Sequence, residues 1–210
     1  MVIKMKKAIY LLLMLACMSV IFCACSSDKK DELQLGTVTN NEYKNTFLGI
    51  GAKFDSDWSF LSDEEIREQN KISKDLVGDE YKKYLDNASL IYDSAAAKND
   101  DADNFNINLE KVNKVSKEYT PNQYLIASAE NLKNALESMG ASGVGYIYGT
   151  VTFAGDPRAC LDIKGDFGGA EFYEKLICIR KGDYFCMVTA FSLSKEGIDD
   201  IVNNFYKLEK

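Results

Sequence analysis

The chain has 210 residues, 46% apolar and 27% charged, with 25 basic against 32 acidic side chains, six cysteines, two prolines and no histidine. That composition suits one globular domain and is too apolar for a disordered protein. Without histidine there is no Ser-His-Asp or Cys-His pair, no HExxH zinc site and no imidazole acid–base step near neutral pH. Carboxylate chemistry, lysine chemistry and simple binding remain.

The N-terminus reads MVIKMKKAIYLLLMLACMSVIFCAC and then turns polar at SSDKKDE. Lys4, Lys6 and Lys7 form a basic opening, and residues 8–22 form an uncharged apolar stretch. A transmembrane helix needs roughly twenty apolar residues, so this stretch fits the core of a secretory signal better. Met5 is an equally good start, since MKKAIYLLL is itself a complete signal opening. The segment Phe22-Cys23-Ala24-Cys25 resembles a bacterial lipobox, in which the cysteine thiol takes a diacylglyceryl group and becomes the first mature residue. Cys17, in Leu15-Ala16-Cys17, would leave an apolar plug on the mature end, so Cys25 is the expected lipidation site. Residues 1–24 are then a signal peptide, 25–40 a lipidated N-terminus and polar tether, and 41–210 a single domain. From Cys25 onward the chain carries 22 basic and 32 acidic residues, a net of about −10. So negative a surface repels nucleic acid and anionic headgroups, leaving the acyl chains to hold the membrane.

Within the domain, TFLGIGAKF (46–54) alternates as a strand and leads to the lone Trp58. Ser62-Asp63-Glu64-Glu65 is a capping box that opens a charged helix, interrupted at Gly78. Residues 89–97 and 105–112 read as strands around the turn NDDADN. Thr120, Pro121 and Gln123 open a second helix, with Leu125, Ala129, Leu132, Leu136 and Met139 on one apolar stripe up to Gly140. Strands follow at 143–153, 160–164, 172–180 and 184–191, the last two joined at Lys181-Gly182-Asp183. Ser194 then caps a helix whose Ile198, Ile201, Val202, Phe205 and Leu208 share a face. Hairpins with helices interposed describe an α+β fold, a largely antiparallel β-sheet flanked by helices.

The order of these elements, with Tyr43, Phe47-Leu48-Gly49-Ile50, Lys53-Phe54 and Trp58 near the start and LICIRKGDYFCMVTAF and IDDIVNNFYKL near the end, resembles the PsbP-like, or Mog-type, α/β/α sandwich of small bacterial lipoproteins. The resemblance covers most of 43–210. Asp55-Ser56-Asp57 stands where many relatives carry a proline before the tryptophan. It implies a binding or assembly accessory with no shared catalytic site, and no functional residue transfers to a numbered position. The metal-linked roles of photosynthetic members do not carry over to a chain without histidine.

Among candidate sites, Asn99, Asp101, Asp103 and Glu110 occupy positions one, three, five and twelve of a calcium loop, but Asn104 replaces the glycine at six. FNINLE alternates as a strand where that loop needs a helix, so a solvated hairpin tip is expected. Cys160, Cys178 and Cys186 lack metal or redox spacing. Cys178 and Cys186 would face each other across a three-residue loop, within reach of a disulfide; reduced core thiols are the expectation. Tyr146, Tyr148, Thr150 and Thr152 share a strand face that either lines a cleft or lies half-buried under a helix. Tyr146, Tyr148 and Trp58 form the candidate ligand or partner face. Gly165-Asp166-Phe167-Gly168-Gly169 lacks the lysine of a phosphate cradle and reads as a connection.

The expected function is that of a lipid-anchored, non-catalytic binding or accessory protein at the outer face of the bacterial cytoplasmic membrane. Its partner is a protein or small ligand, it needs no cofactor or metal, and it does not bind nucleic acid. The alternatives are a hydrolase using two Asp/Glu residues on cell-wall or polysaccharide substrates, and a mainly structural envelope protein.

Overall fold

In the computed structural model, residues 33–73 and 75–209 are described. They form two antiparallel sheets flanked by four helices, an α+β fold. The expected signal peptide, Cys25 and half of the expected tether lie outside the described residues. Part of that tether is instead structured: Leu33 is buried, and Thr37–Thr39 form strand β1.

β1 opens a four-stranded sheet with β2 (Glu42–Asn45), β3 (Ile50–Lys53) and β11 (Phe205–Lys207), in the order β1-β2-β3-β11. The single strand expected over 46–54 is therefore half of a hairpin. Asn45 Oδ1 accepts from the Leu48 backbone N–H at 2.8 Å, closing a turn that alternation alone does not reveal.

The larger sheet runs β4-β5-β6-β10-β9-β8-β7. Its strands are β4 (Trp58–Phe60), β5 (Leu90–Lys98), β6 (Asn104–Lys111), β7 (Ser142–Phe153), β8 (Asp156–Phe167), β9 (Ala170–Lys181) and β10 (Tyr184–Ser192). Lys181 pairs directly with Tyr184, so the last hairpin turns on two residues, Gly182 and Asp183, and Gly182 sits at φ +54°, where glycine is favoured. Cys186 then faces Ile179, and Cys178 faces Met187. One step of register puts the two thiols on opposite sides of the sheet. All three described cysteines are buried and free. Burial pushes each thiol up.

Both capping boxes close as expected. Ser62 caps α1 (Asp63–Gln69), with Glu65 Oε2 accepting from the Ser62 N–H at 2.8 Å. Thr120 caps α3 (Pro121–Ser138), with Gln123 Oε1 accepting from the Thr120 N–H at 2.9 Å. Between them lies α2 (Gly78–Asn87). The last helix, α4 (Lys195–Asn203), starts at the Ser194 cap but ends at Asn204, five residues before the end of the chain's described part. Phe205, expected on that helix, belongs to β11 and pairs with Ala52 of β3. It is still buried, because the strand turns it into the same core.

Each side of the seven-stranded sheet has its own core. On one side the α3 stripe of Leu125, Ala129, Leu132 and Leu136 packs on Leu161, Ile163, Phe172, Leu176 and Phe185. Each leucine buried there contributes roughly 2 kcal/mol. The other side carries the four-stranded sheet and α4, whose Ile198, Ile201 and Val202 join Tyr43, Phe54, Phe105, Ile107 and Val188. The expected helix layer on that side is thus partly a second sheet.

Candidate functional site

Strand β6 alternates asparagine with apolar residues. Phe105, Ile107 and Leu109 enter the core shared with the small sheet, while Asn104, Asn106 and Asn108 turn to the side carrying α3. There α3 packs on β7, β8 and β9, and α1 lies against β5. The asparagines stand between, beside Thr189 of β10, which pairs with Asn106. All four residues are buried.

The strip is wired by its own amides. Asn108 Nδ2 donates to Asn106 Oδ1 at 2.8 Å, and Asn104 Nδ2 donates to the Ala102 carbonyl at 2.7 Å. Asn104 Oδ1 is buried with no hydrogen-bond partner among the described residues. Asn104 and Asn106 line a shallow, solvent-open recess with Leu61, Ile66, Gln69 and Tyr92. An orphaned buried acceptor costs about 1–3 kcal/mol. Carboxamides do not ionise, so the strip offers donors and acceptors without net charge.

Glu174 lies on the same side of the sheet. Phe191 pairs with both Glu174 and Asn104, which places the aromatic ring's strand position between them. Burial raises the Glu174 carboxyl to about 7. Asp93 is also buried and raised by burial, but it points to the opposite side, accepting from the Gly36 N–H and Asn45 Nδ2 of the small-sheet region. The two raised carboxyls therefore share no pocket, and the pair a glycosidase requires does not assemble from them.

The residues singled out in the sequence are only partly brought together. Tyr146 and Tyr148 meet edge to face at 5.6 Å on β7, one margin of the large sheet. Tyr146 donates to Glu130 Oε2 of α3 at 3.0 Å, which raises its phenol, while Tyr148, Thr150 and Thr152 are exposed. Trp58 is on β4 at the opposite margin. It is buried against Phe54 with ring centroids 4.4 Å apart, so it adds nothing to a tyrosine face. Residues 99–103 close the β5–β6 hairpin and Glu110 lies on β6, so no helix stands where a calcium loop needs one. Gly168 and Gly169 form the two-residue turn between β8 and β9. The asparagine strip escaped the sequence reading although its period of two is plain, because polar residues on a strand are taken by default to face water.

No family model matches the sequence, and no curated protein does. Among solved structures, the chain is similar to the solution structure of cyanobacterial PsbP (CyanoP) from Synechocystis sp. PCC 6803, at 10% identity over 87% of this chain and 98% of that one, with a TM-score of 0.46. It is similar to LpqN, involved in cell envelope biogenesis of Mycobacterium tuberculosis, at 12% identity over 76% of this chain and 83% of that one, with a TM-score of 0.41. A Pseudomonas aeruginosa protein of unknown function, PA94, aligns at 11% identity over 46% of this chain and 63% of that one, with a TM-score of 0.29. Likenesses of this degree assign neither a family nor an activity.

Proposed function

We propose that this chain is a lipid-anchored extracytoplasmic binding or accessory protein without catalytic activity, which holds a neutral, hydroxyl- or amide-bearing group over the asparagine strip. The observation that carries the binding reading is the recess lined by Asn104 and Asn106, with Asn104 Oδ1 buried and unsatisfied. The envelope address rests on the basic opening, the apolar stretch and the lipobox-like Phe22-Cys23-Ala24-Cys25. An amide floor suits a sugar or peptide unit better than an ion, since it offers donors and acceptors without net charge.

Titration with N-acetylglucosamine and with N-acetylalanine amide, followed by nuclear magnetic resonance, tests the site. The side-chain amide signals of Asn104 and Asn106 are expected to move, and Asn104→Leu to weaken binding about tenfold, the equivalent of one lost hydrogen bond. Release of reducing ends from a polysaccharide, abolished by Glu174→Gln, would instead establish the hydrolase reading.

The anchor has its own test. With an alkyne-bearing fatty acid fed to cells, the wild-type chain is expected to take label and sediment with membranes. Cys25→Ala should lose the label and prevent maturation. Label retained in Cys25→Ala and lost in Cys17→Ala would move the anchor upstream.

A further inference from the structure

Sheet margins are where strands invite a further strand, and in this fold three of the four are blunted. β1, β11 and β4 are each three residues long. The margin of β5 beyond β4 is also occupied: Asn70 Nδ2 donates to the Tyr92 carbonyl at 2.7 Å and Asn70 Oδ1 accepts from the Tyr92 N–H at 2.8 Å, so one side chain stands in for a strand. The fourth margin is β7, with 12 residues. Natural sheets protect such an edge with charge, proline or a bulge along its length. Residues 138–155 contain no charged side chain and no proline, in a chain of net charge −7. The one irregularity lies between Ser142 and Gly145, and from Gly145 to Phe153 the strand pairs with β8 without a break.

The sequence of that edge is its own mirror. Gly145-Tyr146-Ile147-Tyr148-Gly149 reads the same in both directions about Ile147. Two antiparallel copies related by a two-fold axis at Ile147 would set Ile147 against Ile147, each Tyr146 against a Tyr148, and each Gly145 against a Gly149. Residues directly opposite in an antiparallel pair lie on the same side of the sheet, so tyrosines meet tyrosines and isoleucine meets isoleucine. Ile147 is 73% exposed, the most exposed large apolar side chain described. A Cβ at Gly145 would touch nothing within 4 Å, and one at Gly149 only Cys160 Sγ at 3.4 Å, so open space flanks Ile147 on both sides for its mate. A two-fold interface must be self-complementary, and a palindromic strand meets that condition by sequence alone.

We infer that β7 is a self-association edge, through which two copies of this chain join their seven-stranded sheets antiparallel with Ile147 on the two-fold axis. Between two negatively charged molecules, this uncharged strand is where backbones approach without like-charge repulsion. Moderate salt therefore strengthens the pairing.

The full chain in membranes, carrying Ile147→Cys, tests both partner and register. Opposed Cα atoms of an antiparallel pair lie about 4.5–5.5 Å apart, within disulfide range. Mild oxidation should give a disulfide-linked dimer of twice the chain mass. Thr150→Cys should give none, since in this register Thr150 faces Val144 and its own mate is roughly 20 Å away along the strands. In detergent, Ile147→Lys places two ammonium groups side by side on a surface position, and is expected to weaken dimerisation roughly tenfold or more in sedimentation, with an unchanged circular dichroism spectrum. Equal crosslinking at 147 and 150, a wild-type mass that stays monomeric, or an Ile147→Cys adduct with a different protein would each overturn the proposal.

Discussion

Asp93→Ala is expected to destabilise the fold by about 4 kcal/mol. Asp93 follows Ile91 by two residues onto the small-sheet side of β5, and the bulge between Tyr92 and Ser94 leaves it without a partner on β6. There its Oδ1 accepts from the Gly36 N–H at 2.6 Å, and its Oδ2 accepts from Asn45 Nδ2 at 2.8 Å and from the Tyr43 hydroxyl. Tyr43 and Asn45 are fully buried. Alanine would strand three donors, each worth about 1–3 kcal/mol when left unmade, with partial relief if water enters the vacated space. Gly36 reinforces the arrangement, because a Cβ there would lie 2.1 Å from Tyr43 Cε2, so no larger residue lets this backbone reach Asp93 over the ring. Tyr43→Phe removes a single donor and should cost about 1 kcal/mol. Urea midpoints of the two variants check the ranking: a loss below about 1 kcal/mol for Asp93→Ala would mean that the carboxylate does not fasten the two sheets together.

The elements legible in the sequence were those announced by local chemistry. Thr120-Pro121 with Gln123, Ser62 with Glu65, and Ser194 each marked a helix start that the structure keeps. The four long strands from Ser142 to Ser192 were legible because turn residues separate alternating runs, although β8 extends well beyond the expected 160–164. What could not be read depends on partners distant in the chain. β11 forms where Phe205 meets Ala52, across most of the sequence, so helical periodicity gave way to a pairing invisible in any local window. The meeting of Asp93 with Tyr43 is likewise a contact between two sheets, and no spacing rule announces it. The asparagine strip was visible as a pattern but not as a location, because which side of β6 is covered depends on where α3 and α1 pack. Cys178 and Cys186 make the same point on the scale of one residue, since a two-residue turn instead of three sends them to opposite cores.

Glu174→Gln should raise stability at pH 8 by up to about 3 kcal/mol, the size of a shift from 4.5 to about 7 at 1.36 kcal/mol per unit. The carboxyl is buried among Ile163, Phe191, Phe172 and Leu176 positions, and among the described residues no hydrogen-bond partner reaches it. Its only perturbation is burial, which disfavours the charged form. Below about pH 4.5 the folded and unfolded chains both hold the proton, and burial of the neutral acid carries no ionisation cost. As pH rises toward 7 the unfolded chain releases its proton while the folded chain retains it, so stability falls through that window and stays low above it. The glutamine variant has no such slope. Chemical denaturation at pH 4 and pH 8 is expected to show near-equal stabilities at the lower pH and a more stable variant at the higher one. A variant less stable than wild type at both values would reveal a partner for the carboxylate and remove the cause of the shift. Through most of the range below neutrality, then, Glu174 stands as a neutral acid on the side of the sheet that carries Asn104, Asn106 and Asn108. The three asparagines are polar without being charged, and a carboxyl that shares their side of the sheet is least costly there in its neutral form.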